Sequence, residues 1–133
     1  MEPALDLEDL RDRVGGDEEL LVELMDDFIH RGVGISELLV AAETQAFAEV
    51  SKRAHRLKGS LLALGAKPAG KAASNVELQA STLAAASSPP DPAAIAALAV
   101  AVAELSVRFD EARRAMETVL AGASAMAPAS SSL

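Results

Sequence analysis

From residue 95 to residue 119 the apolar positions Ile95, Leu98, Val102, Leu105, Phe109, Ala112, Met116 and Val119 recur at alternating spacings of three and four. That rhythm keeps one face of a helix apolar, the seam expected where a helix lies nearly parallel or antiparallel to its neighbours. Leu5 to Val14 predicts a short helix closed by Gly15 and Gly16. Asp17 reads as the N-cap of a longer one, in which Leu20, Leu21, Leu24, Met25 and Phe28 keep helical spacing. Gly32 and Gly34 interrupt that pattern and Ile35, Leu38, Leu39 and Ala42 resume it, so a kink or short break is expected between them. A third segment spans about residues 46 to 64 and ends at Gly65, and Pro68 suits the first turn of a fourth running to about residue 86. In the loop SSPPDP, Asp91 caps and Pro92 opens the fifth helix, which Gly122 closes. The pattern predicts an all-α fold: an up-down antiparallel four-helix bundle over residues 1 to 121, with a short additional N-terminal helix against one end. Residues 122 to 133 read as a disordered tail.

Composition narrows the function classes. The 133 residues include no cysteine, which excludes disulfides, thiolate zinc sites and cysteine nucleophiles. Half the residues are hydrophobic but the only aromatics are three phenylalanines, as suits closely packed helices. The N-terminus carries acids in place of a basic leader, and no uninterrupted apolar stretch approaches membrane-spanning length, so the expectation is a cytoplasmic location with no membrane attachment. A monomer is expected, with pairing of bundles through an apolar patch as the open alternative. A net charge of -8 argues against nucleic acid as a partner. That charge is unevenly spread: -11 over residues 1 to 49, +6 over residues 50 to 76 and -3 over the remainder. The basic block surrounds His55, and a local field of that sign attracts an acidic protein surface or a phosphate.

Helical geometry turns this block into a candidate site. At about 100° per residue, Val50, Ala54, Leu57, Leu61 and Leu64 fall within about 80° of arc and form the buried face. His55 points about 140° from the centre of that face, into solvent. Lys58 and Gly59 follow at i+3 and i+4 on the exposed side, with Lys52 and Arg56 nearby. A side chain at position 59 would stand beside the imidazole, so glycine there clears a docking surface, at about 1 kcal/mol of helix propensity. An exposed imidazole, partly neutral near neutral pH, is a nucleophile through a free ring nitrogen. Lys58 supplies an ammonium within reach of a phosphate placed on that nitrogen.

The run HRLKGS, with Gly65 ten residues after the histidine, resembles the His-x-x-Lys-Gly core of histidine phosphotransfer (HPt) domains, the helical-bundle carriers of two-component phosphorelays. VGGDEELLVELMDDF is similar to the opening helices of that family, so the resemblance covers most of the chain. It implies that His55 accepts a phosphoryl group from a receiver-domain aspartate or a histidine kinase and passes it to a response-regulator receiver aspartate. It also implies a carrier with no ATP site and no cofactor of its own, Mg2+ being expected in the partner receiver. Glu77, 22 residues after His55, falls where the family tends to place a Glu or Gln beside the histidine, and would orient the ring through Nδ1–H. Lys52, Arg56 and Ser60 are candidate partner-binding positions. The glycines at 32 and 34, the KPAG opening of the fourth helix and the long SSPPDP loop depart from the family pattern.

Three other readings compete. Asp27 and His30 stand at i and i+3, a spacing used in bundle metal sites, but no Glu-x-x-His occurs to complete one, so His30 reads as a surface residue and no metal is expected. Met25 and Met116 read as core filler. The alternative of another class is a helical-bundle adaptor that binds a receiver or kinase domain without being phosphorylated.

Overall fold

The computed structural model describes residues 2–31 and 34–126. Among the described residues there are six α-helices, α1 (Leu7–Arg13), α2 (Glu18–Arg31), α3 (Ser36–Glu43), α4 (Phe47–Ala63), α5 (Lys67–Ala85) and α6 (Pro92–Met126), and no strand. The interruption expected at the glycines separates α2 from α3; Gly32 itself lies outside the described residues.

α2 and α3 together serve as one arm of the bundle. Leu20 and Val22 share a groove with Leu120 and Ala123, the Phe28 ring lies 5.8 Å from that of Phe109, and Leu39 and Ala42 share a groove with Leu98 and Val102. Rising numbers on the arm meet falling numbers on α6, so the two run antiparallel, and the break does not change the register. The arm, α4, α5 and α6 each pack on two neighbours around a common core.

The predicted faces of α4 and α6 turn toward the core, whereas on α2 only Leu21, Met25 and Phe28 are buried and Leu20 and Leu24, at the edge of that stripe, stand exposed. Val50, Ala54, Leu57 and Leu61 are fully buried on α4, as are Leu105, Ala112 and Met116 on α6. Each fully buried leucine contributes about 2 kcal/mol of transfer free energy. Ala54 on α4, Ala66 before α5 and Ala69, Ala73 and Ala80 on α5 are all buried in the core, and side chains this small let helix backbones approach closely.

Local chemistry explains most of the boundaries. The Asp6 side chain accepts from Asp9 N–H at 3.0 Å, so α1 begins after Asp6, two residues later than expected. Asp17 accepts from Leu20 N–H at 3.1 Å and Asp91 from Ala93 N–H at 3.1 Å, both acting as the caps read from the sequence. Gly65 is required on two counts: its φ is +76°, and a Cβ there would stand 2.8 Å from the Asp6 carbonyl oxygen. The Asp6 N–H donates to the Gly65 carbonyl at 2.8 Å, Lys67 pairs with Asp6 at 3.0 Å, and the Arg13 guanidinium donates to the Leu62 carbonyl at 2.9 Å. The segment leading into α1, with Arg13 at its end, is thereby pinned to the turn between α4 and α5.

At the C-terminus the expectation fails. α6 runs through Gly122 to Met126, because Gly122 does not adopt the positive φ that ends a helix and good helix formers flank it. The rest of the expected tail, 127–133, lies outside the described residues. Pro92–Ala123 is also long enough, and over its most apolar 18 residues, with mean hydropathy 1.6, apolar enough, to cross a membrane by length and composition.

Candidate functional site

α4 turns its apolar stripe into the core and so presents the opposite face, with the His55 side chain 67% exposed. Lys52, Arg56 and Gly59 are exposed beside it, and Lys58 and Ser60 are half-buried. A Cβ built on Gly59 meets no atom within 4 Å, so this glycine is not there for helix packing. The packing glycine is Gly70, from the KPAG opening of α5. A Cβ at that position would overlap the Leu62 side chain, which lies across α5. Leu62 stands seven residues after His55, on the same face of α4, and remains partly exposed.

α5 brings Glu77 to this face. Its Oε2 lies 2.8 Å from His55 Nδ1 and its Oε1 lies 2.7 Å from Lys58 Nζ. An ionised carboxylate only accepts, so Nδ1 carries the shared proton and, in the neutral ring, Nε2 holds the free lone pair. The Lys58 ammonium bonded to Glu77 is the main cause holding its carboxyl below the ordinary carboxylate range; partial burial opposes it and the His55 hydrogen bond adds to it. Lys58 therefore does not stand free beside the imidazole, but is joined to it through one carboxylate. The Ser51 hydroxyl, one turn before His55, donates to the Glu77 carbonyl at 3.4 Å and ties α4 to α5 at this level. Sequence reasoning missed Ser51 and Gly70, because both act across the helix pair.

The basic block is mostly neutralised in the fold. Arg53 pairs with Glu37 and Glu49, Lys58 with Glu77, Lys67 with Asp6 and Lys71 with Glu2. Among the described residues only Lys52 and Arg56 of that block make no ion pair, and both flank His55. The Ser60 hydroxyl makes no hydrogen bond among the described residues.

The second histidine is arranged differently. His30 lies on α2, with Nδ1 3.0 Å from the Asp26 carbonyl oxygen and 3.1 Å from its carboxylate, while Asp27 pairs with Arg31. No group of three or more His, Asp or Glu placed to hold a metal ion occurs among the described residues.

The arrangement around His55 offers an accessible ring nitrogen with a lone pair, a fixed second nitrogen, an adjacent ammonium and an open approach, which together suit group transfer to and from a macromolecular partner. The family model of the Hpt domain matches residues 6–115. No curated protein and no solved structure matches the chain significantly.

Proposed function

We propose that this chain, which belongs to the Hpt domain family of histidine phosphotransfer carriers, carries its phosphoryl group on Nε2 of His55. The Nε2 lone pair attacks the phosphorus of a receiver's aspartyl phosphate, an N–P bond forms as the aspartyl O–P bond breaks, and the aspartate leaves as a carboxylate. The Nδ1 proton stays on the hydrogen bond to Glu77 throughout. Transfer onward to a second receiver is the same exchange in reverse. The family implies kinases and response-regulator receivers as partners and a carrier without an ATP site of its own.

In this reading each neighbour has one task. Glu77 holds the tautomer, and Lys58 directs its remaining N–H donors at the added phosphate charge. Gly59 leaves the approach open, and Lys52 and Arg56 face the acidic rim of a receiver, with Ser60 close by. This chain supplies no cofactor, and Mg2+ belongs to the receiver. The observation that carries the proposal is the pairing of an exposed, unobstructed imidazole with a carboxylate on Nδ1, which leaves Nε2 as the nucleophile.

The test mixes the protein with a receiver labelled on its aspartate. An acid-labile label should appear on the chain and be absent from His55→Gln at unchanged helicity. A stable complex without any label would favour the adaptor.

A further inference from the structure

α6 carries a second seam on the side opposite the core. Ala93, Ala96, Val100, Ala103 and Val107 repeat the three-four spacing and are all exposed, Val100 to 71%. They span about 80° of arc, centred about 180° from the Leu98, Val102 and Leu105 face. This accounts for a helix whose most apolar window is only 22% buried. α5 widens the patch. Lys71 shares a surface groove with Glu104 and Arg108, which in the antiparallel hairpin brings Leu78, itself 68% exposed, level with Val100. Contiguous exposed apolar surface of this kind marks an interaction site.

We propose that this face pairs with the same face of a second copy of the chain, antiparallel about a two-fold axis through Val100. The seam is written for self-contact. Ala93 and Val107 lie seven residues to either side of Val100, and Ala96 and Ala103 lie at four and three. Antiparallel pairing therefore sets Ala93 against Val107 at both ends, alanine against alanine between them, and Val100 on Val100. Parallel pairing would crowd Val107 against Val107 and leave a gap at Ala93. A two-fold interface requires that residue i meet j while j meets i, and this order satisfies that condition.

The area fits a weak dimer. Some 21 Å of helix, widened by Leu78, buries on the order of 1,000 Å² in total, the lower bound for a specific interface. A lipid surface fits less well. The stripe gives way to Glu104, Arg108 and Glu111, which are joined in ion pairs, and the net charge of -8 opposes an anionic membrane.

The pairing does not depend on the phosphotransfer reading. Sedimentation equilibrium between about 10 μM and about 1 mM should show the native chain passing from monomer to dimer. Val100→Glu, which sets two carboxylates together on the axis, should raise the dissociation constant more than about 100-fold with unchanged helicity and unchanged labelling of His55. The chain has no cysteine, so introduced thiols are the only ones. Val100→Cys should cross-link to itself under mild oxidation, and Ala93→Cys should link to Val107→Cys but not to itself. A monomer throughout the range, or a dimer indifferent to Val100→Glu, overturns the proposal. So does flotation of the native chain with phosphatidylcholine vesicles that is lost in Val100→Glu, which would assign the face to lipid.

Discussion

The two histidines are almost equally exposed, His30 to 66% and His55 to 67%, and each has Nδ1 about 3 Å from a carboxylate. Exposure and a nearby acid thus do not distinguish them. The Asp26 carboxylate sits one turn before His30 on the same helix, is itself 56% exposed and is held by no other group among the described residues. The Glu77 carboxylate comes from a different helix, is only 24% exposed, and is fixed by Lys58 on its other oxygen. A carboxylate on its own flexible stem samples many rotamers, and an exposed pair of this kind contributes about 0.5 kcal/mol. One anchored across a helix pair selects a single ring orientation. The contrast teaches that a site is made by the rigidity of the partner rather than by the presence of one.

The sharpest way to break this comparison is to exchange the histidines' fates. His55→Gln should lose phosphoryl labelling completely and change stability by no more than about 0.5 kcal/mol, as expected for an exposed position. His30→Gln should label like the native chain, and label found on His30 would dissolve the distinction.

Removing the two carboxylates comes next. Glu77→Gln should slow transfer about 10-fold and shift the His55 ring toward the tautomer with the proton on Nε2, visible in nitrogen NMR. Asp26→Asn should leave both readouts unchanged. Equal effects of the two substitutions would mean that anchoring does not matter.

A smaller loss is expected from closing the approach. Gly59→Lys should weaken receiver binding about 10-fold in calorimetric titration, with no effect on ring tautomer, because the new side chain enters space that is empty in the free protein. Lys58→Ala should slow transfer a few-fold and cost about 1 kcal/mol or less in chemical denaturation. An unchanged rate would remove Lys58 from the chemistry and leave it a structural partner of Glu77.

The smallest effect is a pH dependence. Because the Glu77 carboxyl is held below its ordinary value in the folded chain, the unfolded chain takes up its proton first as pH falls. The stability it contributes is therefore complete above the ordinary carboxylate range near 4.5 and is lost as pH falls through the lowered value. The difference in melting temperature between native chain and Glu77→Gln should be constant near neutrality and close at more acid pH. A difference that widens on acidification would reverse the sign argued for the Lys58 pair.

Much of this protein was legible in one dimension because helical periodicity is a local property. A spacing of three and four decides which residues share a face whatever lies opposite. The seam of α6, the buried stripe of α4, the exposure of His55 and the caps at Asp17 and Asp91 all follow from positions a few residues apart. The break between α2 and α3 was legible for the same reason, since glycine acts on its own backbone. Gly122 shows the limit. Glycine permits a helix to end but ends it only where the backbone takes positive φ, and here it does not.

What required tertiary structure was the offset between helices, on which even the expectation for Glu77 drawn from the family resemblance depended. The His55–Glu77 contact depends on the offset between α4 and α5, set by the Gly65 turn and by the alanines that let the two helices close. The seating of Leu62 over Gly70 depends on the same offset. The outcome for the basic block is tertiary as well: four of its six cations find acids on α3, on α5, in the segment before α1 or a turn away, and only folding shows that the two without an ion pair among the described residues flank His55. Sequence spacing specifies direction around a single axis, whereas contact between axes also depends on their separation and shift, and those are decided by the packing of the whole bundle.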